Sequence, residues 1–201
     1  MPDNQPPPRV ARGIVGILLA AGSSRRFGAD KLLYPLSDGT PIAVVAARHL
    51  VAALPDSIAI VRPESTALEV ALAACGLRVL VCPRADEGMG VSLAHAVRAT
   101  RDADGWVVAL ADMPFLASAT IAAVATRLSA GAAIAAPVVG GQRGHPVGFA
   151  HRYRDALEAT VGDAGARAIL SQEAAAVALV PVNDPGALRD IDTREDLEGA
   201  T

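Results

Sequence analysis

At 201 residues the chain has room for one domain with a buried core and a cleft. Hydrophobic residues make up 52% but aromatics only 3%, so Ala, Val and Leu must carry the packing, which suits alanine-rich helices on Val/Ile/Leu strands. A formal charge of −3 excludes a protein built mainly to coat nucleic acid, and no apolar run reaches the roughly 20 residues of a membrane helix.

The first residues, MPDNQPPPRVARG, are polar and proline-rich and lack the apolar core of a secretory signal. They predict a disordered tail over 1–12, ahead of one domain over 13–201. Strands are expected at 14–20, 58–62, 78–82, 106–111 and 133–138, with later strand-like runs near 146–150 and 177–182. Helices are expected at 41–53, 65–75, 90–102, 118–129, 153–159 and 164–174, with Ser65, Ser118 and Asp163 as caps. Such alternation predicts a three-layer α/β/α, Rossmann-like domain with a mostly parallel sheet. Ligands of such sheets bind beyond the carboxyl ends of strands, here just after Ala20, Ala111 and Val138. Cys75 and Cys82, the only cysteines, fit neither a zinc site nor an extracellular scaffold and read as free thiols in a reducing cytoplasm.

The first strand ends in the stretch ILLAAGSSRRFGADK at 17–31. Gly22 can take a turn that a side chain would obstruct and can let backbone N–H groups face a phosphate. Ser24 adds a hydroxyl, Arg26 and Lys31 add cationic donors, and Gly28 keeps the loop slim, which together make a polyphosphate cradle. A plain surface loop with scattered charges is the competing reading. The P-loop pattern fails, because Lys31 lies three residues beyond Gly28 and Leu32 follows it. The dinucleotide fingerprint G-x-G-x-x-G is absent from the turn as well.

LAAGSSRRFGADK at 19–31 resembles the L-A-A-G-x-S-x-R-x-G-x-x-K signature of the molybdenum cofactor cytidylyltransferase branch of the MobA-like NTP transferase family. That resemblance implies a nucleotidyltransferase fold and a loop wrapped around a nucleoside triphosphate. By position, Leu19, Ala20, Ala21 and Gly22 would lie by the base and sugar, with Ser24 beside them. Arg26 and Lys31 would hold the phosphates, while Arg25 falls off the signature arginine.

The other constellations follow the same order along the chain. WVVALADMP at 106–114 places Asp112 just past a buried strand, where capping a helix and binding Mg²⁺ are equally open to an acid. The family's A-D-M-P segment implies the metal role. RDIDTREDL at 189–197 resembles the family's closing motif and offers Asp192 as second metal ligand, with Asp190 as its rival and Thr193 through Asp196 as a helix start. EGMGVSL at 87–93 gives a glycine-flanked turn, and the resemblance implies base contacts from Gly88 and Ser92. His95, one turn on, reads as packed or solvated. GGQRGHPVGF and GDAGAR look like acceptor-side motifs, which nominates His145, Asp163 and Arg167.

The resemblance thus implies transfer of CMP from CTP to the terminal phosphate of a molybdenum-bearing molybdopterin, with release of pyrophosphate. Arg26, Lys31 and Asp112 would be the catalytic residues. Mg²⁺, or Mn²⁺ in its place, would be the metal, and a client molybdoenzyme of the xanthine dehydrogenase type would be the protein partner. Two alternatives stay open: a relative using another nucleotide or another acceptor, such as a sugar phosphate or phospholactate, and a non-catalytic carrier of the cofactor. Acceptor and nucleotide panels scored by pyrophosphate release separate them.

Overall fold

The computed structural model describes residues 13–22, 27 and 30–198. The expected tail over 1–12 lies outside them. The strands are β1 (Ile14–Leu19), β2 (Ser57–Val61), β3 (Arg78–Val81), β4 (Gly105–Leu110), β5 (Ile134–Val139), β6 (Gln142–Arg143), β7 (Val147–Ala150) and β8 (Val177–Pro181). The helices are α1 (Ile42–Ala53), α2 (Thr66–Ala73), α3 (Met89–Ala99), α4 (Ser118–Ser129), α5 (Arg154–Glu158), α6 (Arg167–Gln172) and α7 (Glu195–Glu198).

The sheet order is β3-β2-β1-β4-β7-β5-β6, with β8 paired to β5. β1 runs parallel to β2 and β4, whereas β7 is antiparallel to both β4 and β5. Side chains of β1 alternate between two cores. Leu18 and Ala20 pack with Leu50 of α1, Leu72 of α2 and Val124 of α4. Ile17 and Leu19 pack with Leu93 of α3, Leu157 of α5 and Ile169 of α6. This is the three-layer arrangement read from the apolar runs, because strands covered on both faces have no polar side to alternate with. Fully buried Trp106 on β4 still satisfies its indole N–H, which donates to Thr100 Oγ1 at 2.9 Å.

Several boundaries differ from the sequence reading for local reasons. α2 stops at Ala73, since Gly76 has φ 93° and turns the chain away. α3 ends at Ala99 as Thr100 leaves helical geometry at φ −129°. The helix expected at 164–174 shortens to Arg167–Gln172, because Gly162 and Gly165, at φ 61° and 51°, hold the preceding residues in a turn. Asp163 therefore caps no helix. Ser118 lies inside α4, and Ser65 precedes α2 without a side-chain cap. α4 is capped from afar instead: Asp184 Oδ2 accepts from Ala117 N–H at 3.0 Å and from the Thr120 hydroxyl at 2.6 Å. The two-residue strand β6 has no counterpart in the sequence reading. Cys75 and Cys82 are both free. Among the described residues no helix is long and apolar enough to cross a membrane.

Candidate functional site

Between β1 and β4 the connections leave the sheet in opposite directions, and a cleft of about 480 Å³ opens beyond their carboxyl ends. Leu19, Ala21 and Gly22 line it from the end of β1, and Leu110 and Asp112 from the end of β4. A Cβ on Gly22 would meet no described atom within 4 Å, so what a side chain would take there is room in the cleft. Ala20, by contrast, points into the α1-side core, as strand alternation requires, and its side chain does not line the cleft. The segment after Val138 turns back into β6 and does not line this cleft.

Lys31 opens a short 3₁₀ turn over residues 31–33, anchored by buried Leu32. Its Nζ donates to Asp112 Oδ2 at 2.8 Å and to Asp192 Oδ1 at 3.2 Å. Burial by itself would push the lysine pKa down, but the two carboxylates outweigh it and leave the pKa raised. Asp112 sits at a strand end, whereas Asp192 arrives from eighty residues further along the sequence. The returning segment is pinned where Ile191 N–H donates to the Asp112 carbonyl at 2.9 Å and where the fully buried Ile191 side chain packs with Phe27 and Ile42. Asp196 then fixes the backbone of the acid itself, since its Oδ2 accepts from the N–H groups of Asp192 at 2.9 Å and Thr193 at 2.7 Å. Those bonds hold the Asp196 carboxyl below its ordinary range. The helix start read at Thr193–Asp196 is thus present, and Asp192, not Asp190, shares the lysine with Asp112.

The opposite end of the cleft lies past β2 and at the start of α3. Gly88 has φ 114°, and a Cβ there would come within 2.4 Å of the Gly162 carbonyl carbon and 2.7 Å of Asp163 Oδ1. The 160–165 segment therefore presses directly on this glycine turn. It also consumes donors: Gly90 N–H is taken by the Gly162 carbonyl at 2.7 Å, and Val91 N–H by Gly88. Neither of these two N–H groups is open to a ligand. Ser92, 2% exposed, lines the cleft, and its backbone N–H donates to the Gly88 carbonyl at 3.4 Å. Asp163 lines it as well.

His145 and Arg167 do not line the cleft. His145 is half-buried, and its Nδ1, itself buried, has no hydrogen-bond partner among the described residues. Burial lowers its pKa; Asp112 and Asp190 oppose that, while Arg143 and Arg167 add to it. His145 is therefore within electrostatic reach of Asp112. Ser24, Arg26 and Gly28 lie outside the described residues. Sequence reasoning missed Leu32, Arg62, Ala85, Asp86 and Met89, all of which line the cleft. Arg62 follows β2 directly, so the strand-end rule that selected Asp112 also applies to it.

Two carboxylates sharing one cation suit a hard divalent metal. No group of three or more His, Cys, Asp or Glu side chains converges among the described residues. Mg²⁺ is commonly bound by one or two carboxylates plus substrate phosphates and water, so the donor set fits.

Comparison with known proteins gives consistent relatives. A family model described as the MobA-like NTP transferase domain matches residues 16–177. The chain is 31% identical over 196 residues to the purine catabolism protein PucB of Bacillus subtilis (strain 168), covering 92% of this chain and 94% of that protein. It is 30% identical over 193 residues to the nicotine blue oxidoreductase of Paenarthrobacter nicotinovorans, with the same coverage of 92% and 94%. Rv0371c from Mycobacterium tuberculosis H37Rv superposes with a TM-score of 0.79 at 28% identity, over 94% of this chain and 97% of that one. A manganese complex of Rv0371c gives a TM-score of 0.78 at 25% identity, over 93% and 97% of the two chains.

Proposed function

This chain belongs to the MobA-like NTP transferase family, and from that premise we propose that it transfers CMP from CTP to the terminal phosphate of a molybdenum-bearing pterin, releasing pyrophosphate. The observation that carries the reading is the Lys31–Asp112–Asp192 constellation at the mouth of the β1–β4 crevice. It puts cationic and anionic groups together where a metal-bound triphosphate needs both.

In this mechanism an oxygen of the acceptor phosphate attacks the α-phosphorus of CTP in line. The bond from that phosphorus to its bridging oxygen breaks, and pyrophosphate leaves with the electron pair. A phosphate monoester is already anionic near neutral pH, so the chain need not provide a strong base. Its work is positioning and charge neutralisation. Asp112 and Asp192 would hold Mg²⁺ or Mn²⁺, which neutralises triphosphate oxygens when bound. Lys31 and Arg26 offset the charge building on the departing pyrophosphate. Leu19, Ala21, Gly22, Gly88 and Ser92 enclose the nucleoside, with the Ser92 hydroxyl open to the base. His145 and Arg167 receive the acceptor together with Asp163, which lines the cleft at its α3 end. A client molybdoenzyme of the xanthine dehydrogenase type would take the product.

The name of the Paenarthrobacter relative raises a redox reading. Against it, the β1 turn GSSRRFG does not have the G-x-G-x-x-G spacing that cradles a dinucleotide. The test is pyrophosphate release with each of CTP, GTP, ATP and UTP against the molybdenum-loaded pterin and against sugar phosphates. Release with CTP and the pterin supports the proposal. Release only with GTP reassigns the base, release only with a sugar phosphate reassigns the acceptor, and none at all favours a carrier.

A further inference from the structure

We propose that in the nucleotide-free protein the Lys31 ammonium stands in the place of the divalent cation, so that Asp112 and Asp192 accept a metal only as a triphosphate draws the lysine away. The inference rests on the proposed metal-triphosphate site and adds an order of events to it.

The geometry carries it. One ammonium touches both carboxylates, at 2.8 Å and 3.2 Å, and its side chain is only 10% exposed. A divalent cation held by the same two acids would sit within a few ångströms of this positive charge, so the two cations compete for one position. The backbone cannot relieve the conflict by moving. Leu32 is 5% exposed, Tyr34 N–H donates to the Lys31 carbonyl at 3.1 Å, and Ile42 N–H donates to the Tyr34 carbonyl at 3.0 Å. What can move is the four-carbon lysine stem, whose ammonium is a point charge with rotatable donors.

Phosphate oxygens in the cleft offer that ammonium a new partner while completing the metal's shell. Neither event is favourable alone. Withdrawing the lysine from the two carboxylates costs free energy, as does crowding it against a metal. Binding of metal and triphosphate is therefore coupled, and each must raise the affinity of the other by the same factor.

The experiment is Mn²⁺ binding, read from the free-ion electron paramagnetic resonance signal, with and without CTP and with no acceptor present. Wild-type protein without nucleotide should bind Mn²⁺ weakly. Lys31→Met should bind it at least roughly tenfold more tightly, because removal of one competing charge at a partly buried pair is of that order. Lys31→Gln should behave like Lys31→Met. CTP should tighten Mn²⁺ on the wild type and narrow the gap to the variants. Adding Asp112→Asn to Lys31→Met should abolish the gain. Equal affinity of wild type and both lysine variants without nucleotide overturns the proposal, and so does a gain that survives Asp112→Asn. The nucleotide-free comparison does not depend on catalysis, so failure of the transfer reaction would appear separately, in the pyrophosphate assay.

Discussion

Replacing Asp184 by alanine removes a carboxylate that is 8% exposed and serves two separate pieces of chain. One oxygen accepts from Ala117 N–H at 3.0 Å and from the Thr120 hydroxyl at 2.6 Å, which caps α4. The other accepts from Gly186 N–H at 3.1 Å, which shapes the turn leading towards Asp192. A buried donor left without a partner costs about 1–3 kcal/mol, and the three are neighbours whose losses overlap. The expected destabilisation is about 3–4 kcal/mol, or about 6–16 °C in Tm for a chain of this size. Asp184→Asn retains one acceptor oxygen and should cost about half as much. Urea unfolding at fixed ionic strength measures both. The same turn is tied to the acceptor-side strand, since Ala187 accepts from His145 N–H at 2.8 Å. Asp184→Ala should therefore also weaken Mn²⁺ uptake in the presence of CTP, by displacing Asp192. An alanine variant within 1 kcal/mol of wild type would refute the reasoning, for it would mean that the return segment holds itself in place.

Lys31→Ala and Asp112→Ala should each lower pyrophosphate release by orders of magnitude while leaving the far-ultraviolet circular dichroism unchanged; near-normal turnover in both would contradict the mechanism. Gly88→Ala places a methyl group 2.4 Å from the Gly162 carbonyl carbon at φ 114°, so it should push the 160–165 segment outward and raise the KM for the nucleotide several-fold, as steady-state kinetics would report. His145 should titrate below the ordinary histidine value of 6.5 by nuclear magnetic resonance, because burial disfavours its charged form. Its folded pKa is lower than its unfolded one, so its contribution to stability is complete above about pH 6.5 and is lost as pH falls through the folded value. Asp196 is also lowered, here by the backbone N–H groups of Thr193 and Asp192, so its clamp is complete above about pH 4 and fails below. The protection of the Thr193 amide against exchange, relative to its intrinsic rate at each pH, should fall with acid, and Asp196→Asn should lower it already at neutral pH.

The sheet was legible because its strands are apolar on consecutive positions and its helices alternate with them. The placement of Asp112 followed from the same rule, since an acid just after a buried strand has to emerge at the ligand edge. A signature motif names a segment, whereas strand alternation sends every second side chain of that segment into the core, as it does the Ala20 side chain. Caps were misjudged for a related reason. Ser118 and Asp163 are good capping residue types in the right local context, yet the cap of α4 comes from Asp184, and no local pattern reveals a partner 67 residues away. The glycine pair at 162 and 165 shortened a helix that alanine content alone would have extended.

The deeper difficulty lies in the second acid. Asp190, Asp192 and Asp196 stand two and four residues apart, and local sequence gives them similar chemistry. Only docking separates them. Ile191 N–H on the Asp112 carbonyl sets the register, after which Asp192 faces Lys31, Asp196 clasps the backbone of Asp192, and Asp190 acts on His145. A slip of two residues would bring Asp190 to the place of Asp192 without changing composition or net charge. The buried Ile191 side chain is what forbids the slip: moving it would put a charged residue into the pocket formed with Phe27 and Ile42. An apolar residue that touches no ligand thus decides which carboxylate stands beside Asp112.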